Sequence, residues 1–295
     1  MEFSASLAHG LSGNRAAAAE HLAGSLTEGG SHHPFRYGLL LADALAGHTE
    51  DLLERLAQMT PGYQFFGGGA GDDDRFAQTR VFCGTEVASN AVVLLEILSK
   101  KRVGIGVGHG WIPATPEMHV SESSGNIIVR IDARPAAEIY EDFAKGINEP
   151  FNRKEPLPFF LHHIIGIKTH EGYRLRVPLT LSGDGSIICA AEVPAEATVC
   201  IMKTDTRSAV KAALNAANQA VGQLGENTPA LGLFFDCAAT RLRMGGEFGY
   251  ELEAVARQLN GAPFGGCNTY GQIVRATGQF SGFHNCTAVM CVLPE

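Results

Sequence analysis

The chain has 295 residues, with 31 acidic against 23 basic side chains, a formal net charge of −8 and a pI near 5.8. That balance leaves no excess positive field to hold a phosphate backbone, so nucleic acid is not an expected partner. Apolar residues supply 45% and charged residues 18%, enough for real cores and against long disorder, and the length exceeds one ordinary domain of ~100–200 residues.

In chain order, the first helical segment is the alanine-rich stretch from Asn14 to Glu28. Thr49 to Ala57 opens on a hydroxyl cap, and Glu50 and Asp51 lie near the positive end of the helix dipole. Ala133 to Phe143 starts with a harmless first-turn proline and carries Ala136, Ile139, Tyr140 and Phe143 on one face. Thr206 to Leu224 is the longest helix expected. Its Ala209, Ala212, Ala213, Ala216, Ala217 and Ala220 form a thin face suited to lying close against a sheet. Gly246 to Asn260 repeats the helical spacing.

Between them lie β-branched and aliphatic runs of strand length, from Phe35–Leu41, Tyr63–Phe66, Ala91–Leu98, Val103–Val107 and Ile127–Ile131 to Leu231–Phe235 and Thr287–Leu293. Phe159–Ile167, Tyr173–Leu181, Ile187–Val193 and Thr198–Met202 follow one another without a helix, separated by hairpin-type turns. Strands outnumber helices. The pattern implies α+β, two domains with largely antiparallel or mixed sheets covered by helices. The polar, proline-bearing stretch Asn148 to Pro158 divides the chain into 1–150 and 156–295, and no short internal repeat is visible.

Seven cysteines, at positions 83, 189, 200, 237, 267, 286 and 291, include no CxxC and fall mostly in apolar runs. They read as reduced thiols of a cytoplasmic protein. The N-terminus lacks the basic and apolar regions of a signal peptide, and no apolar run reaches ~20 residues, so membrane insertion is not expected. No cofactor or metal is expected either. His162 and His163, adjacent in an expected strand, point to opposite faces and are poorly placed to share one ion.

Three constellations carry the candidate chemistry. Phe65-Phe66-Gly67-Gly68-Gly69-Ala70-Gly71-Asp72-Asp73-Asp74 runs a strand into glycines and carboxylates. It makes either a loop whose amides face a ligand, for which Gly68, Gly69 and Asp72 are the candidates, or a strained turn whose acids face water. His109 and Trp111 sit among glycines after a strand, as pocket lining or as a packed strand end. The last constellation comprises Cys237 and Arg241, then Cys267, Asn268, Tyr270 and Gln272, then His284 and Asn285, each group beside a strand end. Arg241 suits a carboxylate through two parallel hydrogen bonds, with an internal salt bridge to Glu247 or Glu251 as the alternative.

These segments resemble, in order, the motifs of the FIST family, the F-box and intracellular signal transduction proteins. Phe66 to Asp73, Thr79-Arg80-Val81-Phe82, His109 to Pro113 and Ile131 to Tyr140 resemble the N-terminal FIST domain, with the stretch before Phe35 short for a complete one. Asp236 to Arg241, Pro263 to Ile273 and Phe283 to Thr287 resemble the C-terminal domain. Where the family often has Gly-Glu-Ile, this chain has Gly271-Gln272-Ile273, which removes a carboxylate. The resemblance implies a sensory module that binds a small polar ligand, such as an amino acid or organic acid, and signals through a partner protein in another chain. The rival readings are a cysteine-dependent hydrolase or transferase using Cys267 or Cys237 with His284 as base, and a protein-interaction scaffold.

Overall fold

In the computed structural model, which describes residues 1–27 and 32–295, the chain forms sheets of six, nine and four strands and a two-stranded hairpin. The architecture is α+β, with helices packed on mixed and antiparallel sheets. The first sheet begins with β1 (Glu2–His9), β2 (Phe35–Ala42), β3 (Tyr63–Gly69) and β4 (Ala91–Ser99), between which lie α1 (Arg15–Ser25) and α2 (Thr49–Met59). Their order is β1-β4-β2-β3, and only β2 and β3 run parallel. Helix α1 ends at Ser25, and its expected end at Glu28 lies outside the described residues.

The four-stranded sheet repeats this path. It uses β5 (Gly104–Gly108), α3 (Thr206–Gly222), β6 (Pro229–Cys237), α4 (Ala238–Met244), α5 (Gly249–Gln258) and β7 (Phe264–Thr269). The chain then forms β8 (Gln272–Arg275), β9 (Gly282–His284) and β10 (Ala288–Pro294). The order is β5-β10-β6-β7, again with only the last pair parallel. Strands β8 and β9 leave this unit and extend the first sheet beyond β3. The same four-strand topology is therefore built twice without a visible sequence repeat.

Between β5 and α3 the chain forms the nine-stranded sheet, in which Met118–Ser124 and Ile127–Ile131 pair with Thr198–Lys203 and Ile187–Cys189. Helix Ala136–Gly146 covers its core through Ala136, Tyr140 and Ala144. All three large sheets draw strands from both sides of the expected 150–156 boundary.

Helix α3 shows how composition sets packing. All six alanines of its thin face are buried. A Cβ on Gly104, Gly106 or Gly108 of β5 would collide with the backbone of Ala220, Ala216 or Ala212, respectively. Glycine facing alanine thus lets helix and strand backbones touch, where many small dispersion contacts add up.

Some elements differ from expectation. Strand β1 was not expected; it forms an edge with most residues exposed, although Glu2 to Leu7 alternates polar and apolar residues. The run from Phe159 splits into a short helix, Leu157–Phe160, and a strand starting at His163, because the proline-rich entry favours a first helical turn. Helix α4 starts immediately at Ala238, where a loop was expected. Among the described residues, no helix is long and apolar enough to cross a membrane, and no cluster of three or more acidic, histidine or cysteine side chains is placed to hold a metal ion.

Candidate functional site

The two parallel pairs, β2–β3 and β6–β7, end side by side, and loops at the carboxyl ends of parallel strands are where open sheets place ligands. A pair of backbone bonds ties the ends together. Gly69 N donates to Gly271 O at 2.8 Å, and Tyr270 N donates to Gly69 O at 3.0 Å. Beside this junction lies a cavity of about 480 Å³, within the ~300–1,000 Å³ usual for small-molecule sites. Gly69 to Gly71 form one wall and Cys267 to Tyr270 another, while α4 contributes Ala238 and Arg241. Asp73, Asp74 and Arg80 complete the rim.

The glycine cluster is needed for close approach. Gly67 has φ 139°, and a Cβ there would strike the Leu40 carbonyl, while a Cβ on Gly68 would stand 2.7 Å from Thr269 Cγ2. Gly68 therefore lies against the Thr269 side chain, and Gly69 reaches the cavity itself.

Asp72 is placed as an anchor. It accepts hydrogen bonds from the backbone N–H groups of Phe76, Ala77 and Gln78 at 2.9, 2.7 and 2.8 Å, and from Tyr270 OH at 2.6 Å. Desolvation raises its pKa, but Tyr270 and the three backbone donors outweigh this and hold it at about 2. The loop it fixes holds Asp73, Asp74 and Phe76 at φ 61°, 60° and 50°. Such left-handed backbone persists only where surrounding bonds enforce it. Phe76 also stacks on Tyr270, with ring centroids 4.4 Å apart.

Arg241 is exposed at the cavity, and neither carboxylate considered as its salt-bridge partner takes that role. Glu247 instead accepts from Thr206 Oγ1 at 2.5 Å, and Glu251 is buried against Asp236. The other rim guanidinium, Arg80, donates to the neutral Gln78 amide at 3.1 Å.

The remaining sequence candidates sit elsewhere. Gln272 is fully buried and ties Thr269 Oγ1 (2.8 Å) to the Thr287 N–H (3.3 Å). Asn285 accepts from Val177 N at 3.2 Å and lines, with Cys237, a narrow apolar crevice of about 40 Å³ behind the main cavity. His284 is 1% exposed, its Nε2 lies 3.1 Å from the Phe280 carbonyl oxygen, and its ring packs on Phe280. Burial, then Arg176 and Arg174, push its pKa well below the ordinary value. His109 and Trp111 line a separate crevice of about 10 Å³ with Arg243, whose guanidinium lies 5.7 Å from the indole centroid.

This crevice also holds a buried acid pair. Glu251 is pushed up to about 10, first by burial and then by Asp236, and Asp236 is itself raised by burial. Asp236 Oδ2 and Glu251 Oε2 have no other partner among the described residues, as expected if one proton is shared between them.

No triad assembles. Cys267 reaches the main cavity, but burial pushes its thiol up, and no histidine hydrogen-bonds to it among the described residues. Cys237 is 3% exposed, and its lowered pKa comes first from a hydrogen bond with Cys286 rather than from a base.

Sequence reasoning therefore brought Gly69, Arg241, Cys267, Asn268 and Tyr270 to one cavity but missed Asp73, Asp74, Arg80 and Ala238. The run of three aspartates was a usable signal, since a side chain that anchors its own loop leaves its neighbours free to face a ligand. Comparison with known proteins supports the assignment of the chain. The FIST N domain matches residues 1–134 and the FIST C domain residues 136–275. Two uncharacterized proteins of Mycobacterium tuberculosis, from strains CDC 1551 / Oshkosh and ATCC 25618 / H37Rv, are each 24% identical to it over 262 residues, covering 87% of this chain and 68% of the relative. The chain belongs to the FIST family of sensory and signal-transduction domains.

Proposed function

We propose that this protein is a soluble cytoplasmic sensory module whose main cavity binds a small polar metabolite, an amino acid or organic acid, and that it relays occupancy to a partner protein in another chain. Segments 1–150 and 156–295 act together in this reading, since both supply lining residues. The observation that carries it is Arg241, exposed at an open cavity with no carboxylate partner among the described residues. A guanidinium so placed offers a planar fork to a ligand carboxylate. Asp73 and Asp74 provide the opposite charge for an ammonium group, and Asn268 adds polarity. Cys267, whose pKa is raised and whose thiol is therefore neutral, serves as lining.

Thermal-shift screening against amino acids and organic acids tests the proposal. A ligand at 100 times its Kd adds about 2.7 kcal/mol, and Arg241→Ala is expected to abolish that gain. Failure of every compound at millimolar concentration, or an equal shift in Arg241→Ala, refutes it.

A further inference from the structure

The main cavity uses the helical segment that follows β6, the first strand of its parallel pair. The equivalent place in the other four-strand unit is the start of α2, after β2, and a second cavity of about 300 Å³ opens there. Helix α2 begins without a side-chain cap, because His48 at its N-cap is left-handed (φ 62°) and its side chain accepts no backbone N–H. The first N–H groups of a helix have no partner within it and carry its positive end. Independently of the helix end, Thr49 lines this cavity while only 2% exposed, and its Oγ1 has no hydrogen-bond partner among the described residues. Buried hydroxyls in native proteins are nearly always paired, so this one marks the place of a missing acceptor or donor.

At this same end of the cavity stands Glu192. Its Oε1 accepts from His48 N at 2.7 Å and lies 3.2 Å from His48 Nδ1, while its Oε2 takes no bond among the described residues. Leu45, Leu179, Ala190 and Phe283 supply apolar wall. The site thus offers donors and a carboxylate acceptor close together with apolar surface beside them, which suits a group whose carbonyl oxygen and N–H share one carbon. An anion there meets Glu192, and a cation meets the positive end of α2.

We propose that this cavity is a second ligand site, distinct from the first, for a small uncharged carboxamide with a short aliphatic body. The carbonyl oxygen accepts from the Thr49 hydroxyl and the first N–H groups of α2, and the amide N–H donates to Glu192. Butyramide and butyrate are nearly isosteric and differ in charge, so they probe this arrangement directly.

Titration of the full chain with each, followed by amide chemical shifts in NMR, is expected to perturb the resonances of Gly47 to Asp51 with butyramide, which binds at least about tenfold more tightly than butyrate. Loss of one hydrogen bond in Thr49→Val weakens butyramide about tenfold, while Thr49→Ser retains it. Arg241→Ala leaves butyramide binding unchanged, which separates this site from the main cavity. Absence of butyramide-induced shifts, equal binding of the two probes, or unaltered binding by Thr49→Val overturns the proposal.

Discussion

Replacing Asp72 with alanine removes one acceptor from four donors, three backbone N–H groups of the rim loop and the Tyr270 hydroxyl. The displacement of its pKa from 3.8 to about 2 corresponds to roughly 2.4 kcal/mol as an upper limit. Solvent screening of this little-shielded carboxylate reduces the expected loss to about 1–2 kcal/mol. At ~2–4 °C per kcal/mol, extrapolated from somewhat smaller proteins, the variant melts about 2–8 °C below wild type at pH 7. The sign follows from linkage. A carboxylate with a depressed folded pKa contributes its full stability above the unfolded value of 3.8 and loses it as pH falls through about 2. The difference between Asp72→Ala and wild type therefore closes between about pH 5 and pH 2. Thermal unfolding followed by circular dichroism across that range measures it. Melting within ~1 °C of wild type at pH 7, or a gap that persists at the acid end, refutes the anchoring role.

Gly106→Ala drives a methyl group into the Ala216 carbonyl of α3, so a loss of about 3 kcal/mol or more in urea denaturation is expected, and a loss below ~1 kcal/mol contradicts the close packing. Glu251 keeps a proton in the fold that the unfolded chain sheds above about 4.5, so its contribution declines as pH rises from there through about 10. Glu251→Gln supplies a permanent donor to Asp236 and is expected to flatten the fall of the urea midpoint between pH 6 and 9; parallel curves for the two proteins rule out the shared proton.

The alanine stripe of α3 was legible because a period of 3.6 residues in small side chains has one economical use, a close backbone approach. Strand β1 was not, even though Glu2 to Leu7 alternates polar and apolar residues, because serine and alanine fill half of its positions and give the pattern little contrast. Nor could hydropathy show that β8 and β9 would join the first sheet, because strand pairing partners are chosen by complementarity across more than a hundred residues. At the site, strand ends rich in small and polar residues drew attention to Arg241, Asn268 and Tyr270, which line the main cavity. Gln272, His284 and Asn285 look equally polar in sequence, but all three side chains are sealed inside the protein, a distinction that only burial reveals.

The transfer of β8 onto β3 has a consequence for how the molecule is made. About two hundred residues separate Gly69 from the strand that covers its edge, so a nascent chain emerging from the ribosome carries β3 with open hydrogen-bonding groups until that later strand is synthesised. Assembly of the main cavity is then a late event of folding, and an interrupted chain presents a sticky sheet margin in its place.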